Sequence, residues 1–413
     1  MIFASIPDII EDIKAGKMIV LVDDKNRENE GDLVCAAELI TPEIINFMAT
    51  HGRGMICQPM TAELCDKLEL PMQVELNTAP LQTGFTVTID AREGTTTGIS
   101  ATDRARTILQ AIKDDCKPSD LVRPGHIFPL KSKNGGVLVR QGQTEGAVDL
   151  ARMAGLKPSG VICEIMNKNG SMARLKDLEP YCKKHNLKMC SVASLIEYRQ
   201  QTETLVERVE AIDMPTDCGI FRLFAYQTSF DKKIHLALCK GGIGEYDMSG
   251  NVIQQEETIL IRVHSECMTG DIFHSQRCDC GAQLHTAMEM IEKNGKGVII
   301  YLRQEGRGIG LKDKLHSYHL QEIGMNTIQA NQWLGHAADK RDYGVGAHIC
   351  RDLGIAKVAN MTNNPVKTDK LTVYGITVEE QVPIEINATK HNLQYLKTKR
   401  DQMGHVLPNL YKK

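Results

Sequence analysis

A chain of 413 residues with 42% hydrophobic side chains has material for more than one packed core, most simply two domains of about 200 residues each. A formal charge of −3 and a pI near 6.5 exclude a molecule-wide electrostatic pull towards nucleic acid or anionic membrane, so any phosphate binding must be local. The opening MIFASIPDIIEDIKAGK carries acids and lacks a long apolar centre, and no stretch reaches the length of a membrane span. The expectation is therefore a cytoplasmic protein with neither leader nor anchor. Its thirteen cysteines, mostly single in apolar surroundings, suit reduced buried thiols.

In chain order, KMIVLVDD (17–24) reads as a strand and PEIINFMATHG (42–52) as a helix opened by Thr41-Pro42. FTVTID (85–90) alternates as a strand, and ATDRARTILQAI (101–112) follows as a helix. GGVLVR (135–140) reads as a strand before the helix AVDLARMAGL (147–156), then GVICEIM (160–166) as a strand and LKDLEPYCKKHNL (175–187) as a helix. The charge-rich SLIEYRQQTETLVERVEAIDMPTDCG (194–219) reads as a helix end and connector. It places the domains at 1–203 and 204–413. Beyond it come a strand pair (220–228 and 233–241), a strand (258–265), a helix (280–295), a strand (296–304) and a helix (309–324). Segments 358–364 and 375–384 finish a sheet. Strands and helices mixed in both halves predict two α+β or α/β domains in tandem.

Three thiols stand apart from the other ten: Cys267, Cys278 and Cys280 fall within 14 residues in polar surroundings. Three protein ligands leave a zinc ion's fourth position open, which is the catalytic arrangement; His264 or His274 as a fourth ligand would instead make the site structural. Downstream, RQEGRGIGLKDK (303–314) follows an apolar strand with a Gly-rich turn and two arginines, a setting that suits phosphate. YGVGAHICRDLG imitates a dinucleotide motif but lacks the acid-tipped strand that should follow. With VHSECMTGDIFHSQRCDCG, DKRDYGVGAHICRDLG and MTNNPVK, these residues resemble GTP cyclohydrolase II over roughly 205–400.

That resemblance implies opening of the guanine imidazole ring of GTP, with release of formate and pyrophosphate. Cys267, Cys278 and Cys280 would hold one Zn2+ per domain, whose hydroxide attacks C8. Arg262, Glu266, Glu305 and Arg307 would shape the triphosphate and Mg2+ region, and Tyr318, Thr362 and Lys367 would line the nucleotide pocket. Asp339 falls at the general-base position and Arg341 at the position proposed to attack the α-phosphorus. A guanidinium is a poor nucleophile, so electrostatic clamping of the phosphate is the alternative for Arg341.

In the first half, DDKNRENEGDLV (23–34) gathers oxygen donors of the kind that bind hard cations such as Mg2+. GTTTGISATDRART offers hydroxyls and amides, RPGHIFPL displays His126 after a turn, and Glu164 sits in the apolar run VICEIM, where a carboxylate must be paired or working. With RGMICQPM and TEGAVDLARMAGLKPSGVICE, these segments resemble 3,4-dihydroxy-2-butanone 4-phosphate synthase over about 5–200. The order of the halves matches the bifunctional riboflavin-biosynthesis enzymes.

This second resemblance implies conversion of ribulose 5-phosphate to dihydroxybutanone phosphate and formate with Mg2+ or Mn2+. Glu28 would be the acidic metal ligand, while Glu30, Asp32 and Glu164 would be acid/base candidates, Glu164 foremost. Arg27, Asp32, Arg140, Thr144 and the Thr95–Thr97 run would hold substrate. The family's Gly-His-Thr-Glu is here Gly142-Gln143-Thr144-Glu145, so an amide replaces a histidine ligand. Gln143 can ligate through its neutral carbonyl but cannot titrate. An impaired synthase is one expectation; the alternative is a GTP cyclohydrolase II alone, with the first domain as dimer scaffold or regulator. A zinc-dependent nucleic-acid binder is a third reading, disfavoured by 5% aromatics and the negative charge. The resemblance also implies a homodimer acting on small molecules, with neither nucleic acid nor membrane as partner.

Overall fold

The computed structural model describes residues 3–25, 27–228, 231–334 and 343–407. These divide into two compact units, Met1–Arg199 and Gln200–Lys413. Both mix strands with helices, as the alternation of patterns predicted.

The first unit's strands are β1 (Ile19–Val22), β2 (Gly31–Ala36), β3 (Cys57–Met60), β4 (Ile89–Ala91), β5 (Leu121–Lys131), β6 (Gly160–Glu164) and β7 (Met189–Ser191). They form one mixed sheet in the order β4-β5-β3-β6-β2-β1-β7. Its helices are α1 (Ile6–Lys14), α2 (Pro42–Phe47), α3 (Ala62–Lys67), α4 (Ala101–Ala111), α5 (Gln143–Met153), α6 (Leu175–His185) and α7 (Val192–Thr202). Apolar clusters cover both faces of this sheet, one around Leu33, Ile108 and Cys163 and one around Leu21, Leu150 and Ile162. That explains why β1 and β2 are buried along their whole length.

Helix α5 is the buried helix of this unit, with every residue from Gln143 to Ala151 inside. Its Asp149 accepts from Arg199 Nη1 at 2.7 Å and from the Val137 amide at 2.8 Å, so a charge within the core is paired and hydrogen-bonded. Gly146 allows the close approach of α5 to β1: a Cβ there would lie 2.5 Å from Leu21 Cδ2.

The second unit contains β8 (Val206–Thr216), β9 (Gly219–Thr228), β10 (Ile234–Lys240), β11 (Ile259–Ser265), β12 (Gly297–Leu302), β13 (Lys357–Met361) and β14 (Thr377–Val382). The sheet order is β14-β13-β11-β12-β10-β9-β8. Strands β8, β9, β10 and β12 pair antiparallel, whereas β12, β11, β13 and β14 run parallel. Around it lie α8 (Met268–Asp271), α9 (Cys280–Asn294), α10 (Gly310–Glu322), α11 (Thr327–Trp333), α12 (Gly344–Asp352), α13 (Pro365–Val373) and α14 (Leu393–Met403). Parallel strands send their carboxyl ends to one edge, where α/β proteins place ligands.

Two expectations fail locally. GGVLVR is no strand: Gly135 and Gly136 both take positive φ, 90° and 62°, and turn the chain into a short 3-10 segment, Gly136–Leu138. The segment read as a connector contains β8, which forms a long hairpin with β9. Among the described residues no helix is long and apolar enough to cross a membrane.

Candidate active sites

The three parallel strands β11, β12 and β13 deliver a constellation at their carboxyl ends. After β11 come Glu266 and Cys267; after β12, Glu305; after β13, Thr362. Helix α9 begins at Cys280 and brings Cys278 with it. The Sγ atoms of Cys267, Cys278 and Cys280 all lie within 4.8 Å of one another, and Cys267–Cys278 measures 3.7 Å. Sulfurs bound at 2.3 Å to one tetrahedral Zn2+ stand roughly 3.8 Å apart, so the donor set fits that ion.

Neither histidine joins the group among the described residues. His264 is buried, stacks on Tyr301 and directs Nε2 to Asp271 at 3.2 Å, while His274 is exposed. Three thiols without either histidine are what the structure brings together. Hydrogen bonds from Cys278 and Cys280, with the Lys314 ammonium close by, hold Cys267 far below the usual thiol range. The same exchange pushes Cys278 up to about 11. Metal binding to thiols displaces their protons.

Beside the thiols opens a cleft whose empty volume, open solvent at its mouth included, is about 1050 Å3. Arg262, Glu266, Glu305, Tyr318, Thr362 and Lys367, anticipated as nucleotide contacts, all line it. Arg262 is buried and held by the Met361 carbonyl at 2.7 Å and Gln283 Oε1 at 2.6 Å. Lys367 Nζ donates to the Val263 carbonyl at 3.0 Å. Tyr318 meets Thr269 Oγ1 at 3.3 Å, and burial pushes its phenol up to about 12. Glu305 is committed to the scaffold: it accepts from the amides of Met268 and Gly306 at 2.6 and 2.7 Å and from Lys314 Nζ at 2.8 Å.

Lys314 is a residue sequence reasoning missed. Its ammonium lies 3.1 Å from Cys267 Sγ, bridging a ligand thiol and Glu305. Gln283 and Lys399 also line the cleft without having been anticipated. The backbone of Arg307 lies in the turn Glu305–Gly308, its side chain outside the described part; Asp339 and Arg341 lie outside the described residues altogether.

In the first unit, a second group of polar side chains collects where β1, β2 and β6 meet the start of α5. Asp32 on β2 faces Glu164 on β6 as its cross-strand partner. Burial, then the charges of Glu164, Glu28, Glu30 and Asp23, push the Asp32 carboxyl well above the usual range. Asp23 organises the intervening loop, accepting from the amides of Glu28 and Glu30 at 3.0 and 2.9 Å. Arg174 grips the same loop through the carbonyls of Glu28 and Asn29. Glu164 accepts from the Met55 amide at 2.8 Å.

Gln143 points into this group. Its Oε1 accepts from Arg27 Nη1 at 2.9 Å, and its Nε2 is buried without a hydrogen-bond partner. The same Arg27 nitrogen reaches Asp23 Oδ2 at 2.8 Å and Glu28 Oε2 at 3.2 Å. Glu28 and Gln143 therefore both contact the one Arg27 nitrogen, with the guanidinium between them. Thr144 is buried beside them, and Arg140 is fixed by Glu145 at 2.6 Å and Thr83 at 2.9 Å. His126 lies elsewhere, on β5, with Nδ1 2.7 Å from Asp90, and Thr96 is spent on Asp103.

Fold and sites together define a tandem pair of α/β enzyme domains, one built round a thiol trio and the other round clustered carboxylates. Residues 7–198 match the family model of 3,4-dihydroxy-2-butanone 4-phosphate synthase, and residues 207–383 that of GTP cyclohydrolase II. The chain belongs to the family of bifunctional riboflavin biosynthesis proteins that carry both domains. It is 55% identical over 404 residues to the riboflavin biosynthesis protein RibBA of Cytophaga hutchinsonii, covering 98% of this chain and 97% of that one. Its counterparts in Aquifex aeolicus and Bacillus subtilis are 53% and 51% identical, each match covering 98% of this chain and 98% and 99% of the relative. A solved two-domain 3,4-dihydroxy-2-butanone 4-phosphate synthase, RibBX from A. baumannii, superposes with a TM-score of 0.70 at 36% identity, covering 93% of this chain and all of that one. Relatives that span both halves favour two activities over a cyclohydrolase fused to an idle scaffold.

Proposed function

We infer that the second unit opens the imidazole ring of GTP, with release of formate and pyrophosphate. The observation that supports this most is the convergence of three sulfurs within 4.8 Å at the rim of a cleft that also holds Arg262 and Lys367. Cys267, Cys278 and Cys280 would hold a zinc ion, which would supply Lewis acidity and activated water. The chain's own groups do the rest. Arg262 and Lys367, fixed by backbone carbonyls, offer preorganised positive charge to a triphosphate. Tyr318, kept neutral by burial, and Thr362 orient the base. Glu266 and Arg307 border the phosphates, and Glu305 acts by holding Lys314 and the turn after β12. Asp339 is assigned as general base and Arg341 to the α-phosphate.

For the first unit we assign ribulose 5-phosphate as substrate, with Arg27, Arg140 and Thr144 towards the phosphate and hydroxyls. Asp32 and Glu164 form the acid/base pair, since burial and the facing Glu164 charge push the Asp32 carboxyl well above the usual range. Mg2+ or Mn2+ held by Glu28 and Gln143 would polarise the sugar oxygens. All thirteen cysteines are free thiols, the state a reducing cytoplasm maintains. Formate release separates the two assignments: from GTP with zinc-loaded protein, and from ribulose 5-phosphate with Mg2+. A metal-loaded protein silent with GTP refutes the first, and silence with the pentose phosphate across a Mg2+ titration refutes the second. Light scattering tests the homodimer that the resemblance implies.

A further inference from the structure

The GTP cyclohydrolase II match stops at residue 383, yet helix α14 (Leu393–Met403) supplies part of the cleft wall through Tyr395 and Lys399. Lys399 is 9% exposed, and its Nζ donates to Asp279 Oδ1 at 2.6 Å. Asp279 stands between two of the three thiols, Cys278 and Cys280, and is itself 3% exposed. Its other oxygen accepts from Gln283 Nε2 at 2.8 Å, and Gln283 Oε1 in turn takes the Arg262 guanidinium at 2.6 Å. Four buried side chains thus run in series from α14, through the thiol turn, to the arginine assigned to the phosphates. We propose that Lys399 is a positioning residue of the GTP reaction, fixing the Cys278–Cys280 turn and Arg262 from a segment beyond the family match.

The physical reason is the position of Asp279. A carboxylate held at the residue between two ligands sets the backbone of both, and its buried charge needs a cation to stay there. For the buried Asp279 that cation is the Lys399 ammonium, 2.6 Å from Oδ1. With the lysine gone, the carboxylate would turn towards solvent or towards Arg262, and the geometry at both Cys278 and Cys280 would change with it. Groups that orient metal ligands in this way typically affect metal affinity or activity by about 10–100-fold.

The inference rests on reading the second unit as a zinc-dependent GTP enzyme, and the test separates the two claims. Full-length protein, wild type and Lys399→Met and Lys399→Arg, is loaded with Co2+ for its thiolate absorption bands and with Zn2+ for chelator release and GTP kinetics. The Met variant should keep its circular dichroism and bind one metal, with altered Co2+ bands and release about 10-fold faster or more. Its kcat should fall further than its KM rises, and the Arg variant should recover much of the spectrum. If the Met variant unfolds, Asp279→Asn removes the same ion pair from the other end and should shift the bands alike. Wild-type bands and release rates in Lys399→Met overturn the proposal, whatever happens to turnover. Loss of GTP turnover in the wild type, with altered bands in the variant, would overturn the assigned reaction and leave the positioning role standing.

Discussion

Replacing Gln143 by histidine probes the first site at its most unusual point. The amide oxygen is buried and committed to a charged donor, Arg27 Nη1 at 2.9 Å. A hydrogen bond to a charged group contributes about 1.5–3 kcal/mol. For Oε1 to ligate a cation that bond must be surrendered, which at ~1.4 kcal/mol per decade weakens ion binding by roughly 10–150-fold. Arg27 keeps Asp23 and Glu28 as partners, so losing the amide does not strand it. In Gln143→His, the half-saturating Mg2+ for formate release from ribulose 5-phosphate should fall by about 10-fold or more, with kcat rising. An acid limb near pH ~6.5 should appear, because only neutral imidazole ligates. A variant with the parent's Mg2+ curve and pH profile would refute the reasoning and show that residue 143 does not limit this site.

Three further outcomes follow from the geometry. Cys278→Ser should lower bound zinc from one per chain to a small fraction by metal analysis and abolish formate from GTP, while formate from the pentose phosphate is unchanged. Lys314→Met leaves Glu305 buried without its cation, a loss of about 3–5 kcal/mol; calorimetry should show the second unit melting earlier, and an unshifted transition would mean the pair contributes nothing. His235 is buried, accepts the Arg303 amide at 3.1 Å and has its pKa depressed to about 4. Because the folded value lies below the unfolded one, stability is present above pH ~6.5 and is lost as pH falls towards 4, by at most about 3 kcal/mol. His235→Gln should flatten that acid loss in denaturant titrations across pH 4–7.

How much could be read in advance depended on whether a residue's environment is local. The thiol trio was legible because its members fall within 14 residues, and the nucleotide contacts only through the motifs that carry the resemblance to GTP cyclohydrolase II. Lys314 and Lys399 were not legible. On a polar helix face a lysine looks solvated, and only the packing of α10 and α14 against the thiol cluster buries them. Strand β8 hid for a different reason: it is an edge strand with many exposed side chains, and its register shifts between Arg208 and Glu210, which breaks the alternation. GGVLVR misled in the opposite sense, since its Val and Leu suit a strand while its two glycines take the conformation that ends one. In the acidic loop the residue types indicated a cation site, but the insertion of Arg27 between Glu28 and Gln143 is a tertiary fact.

The start of α5 has a consequence for how such a site can change over generations. Gly142 caps the helix without any side-chain bond, the Gly146 amide donates to the Gly142 carbonyl at 2.9 Å, and the helix seats itself by Gly146 against Leu21. None of this consults the side chain at 143. Histidine and glutamine codons differ by one base, so a lineage can exchange imidazole for amide there in a single mutational step that leaves the helix start intact and changes the hydrogen bond to Arg27. The chemistry of the first domain can drift, or be restored, on an unchanged helix start.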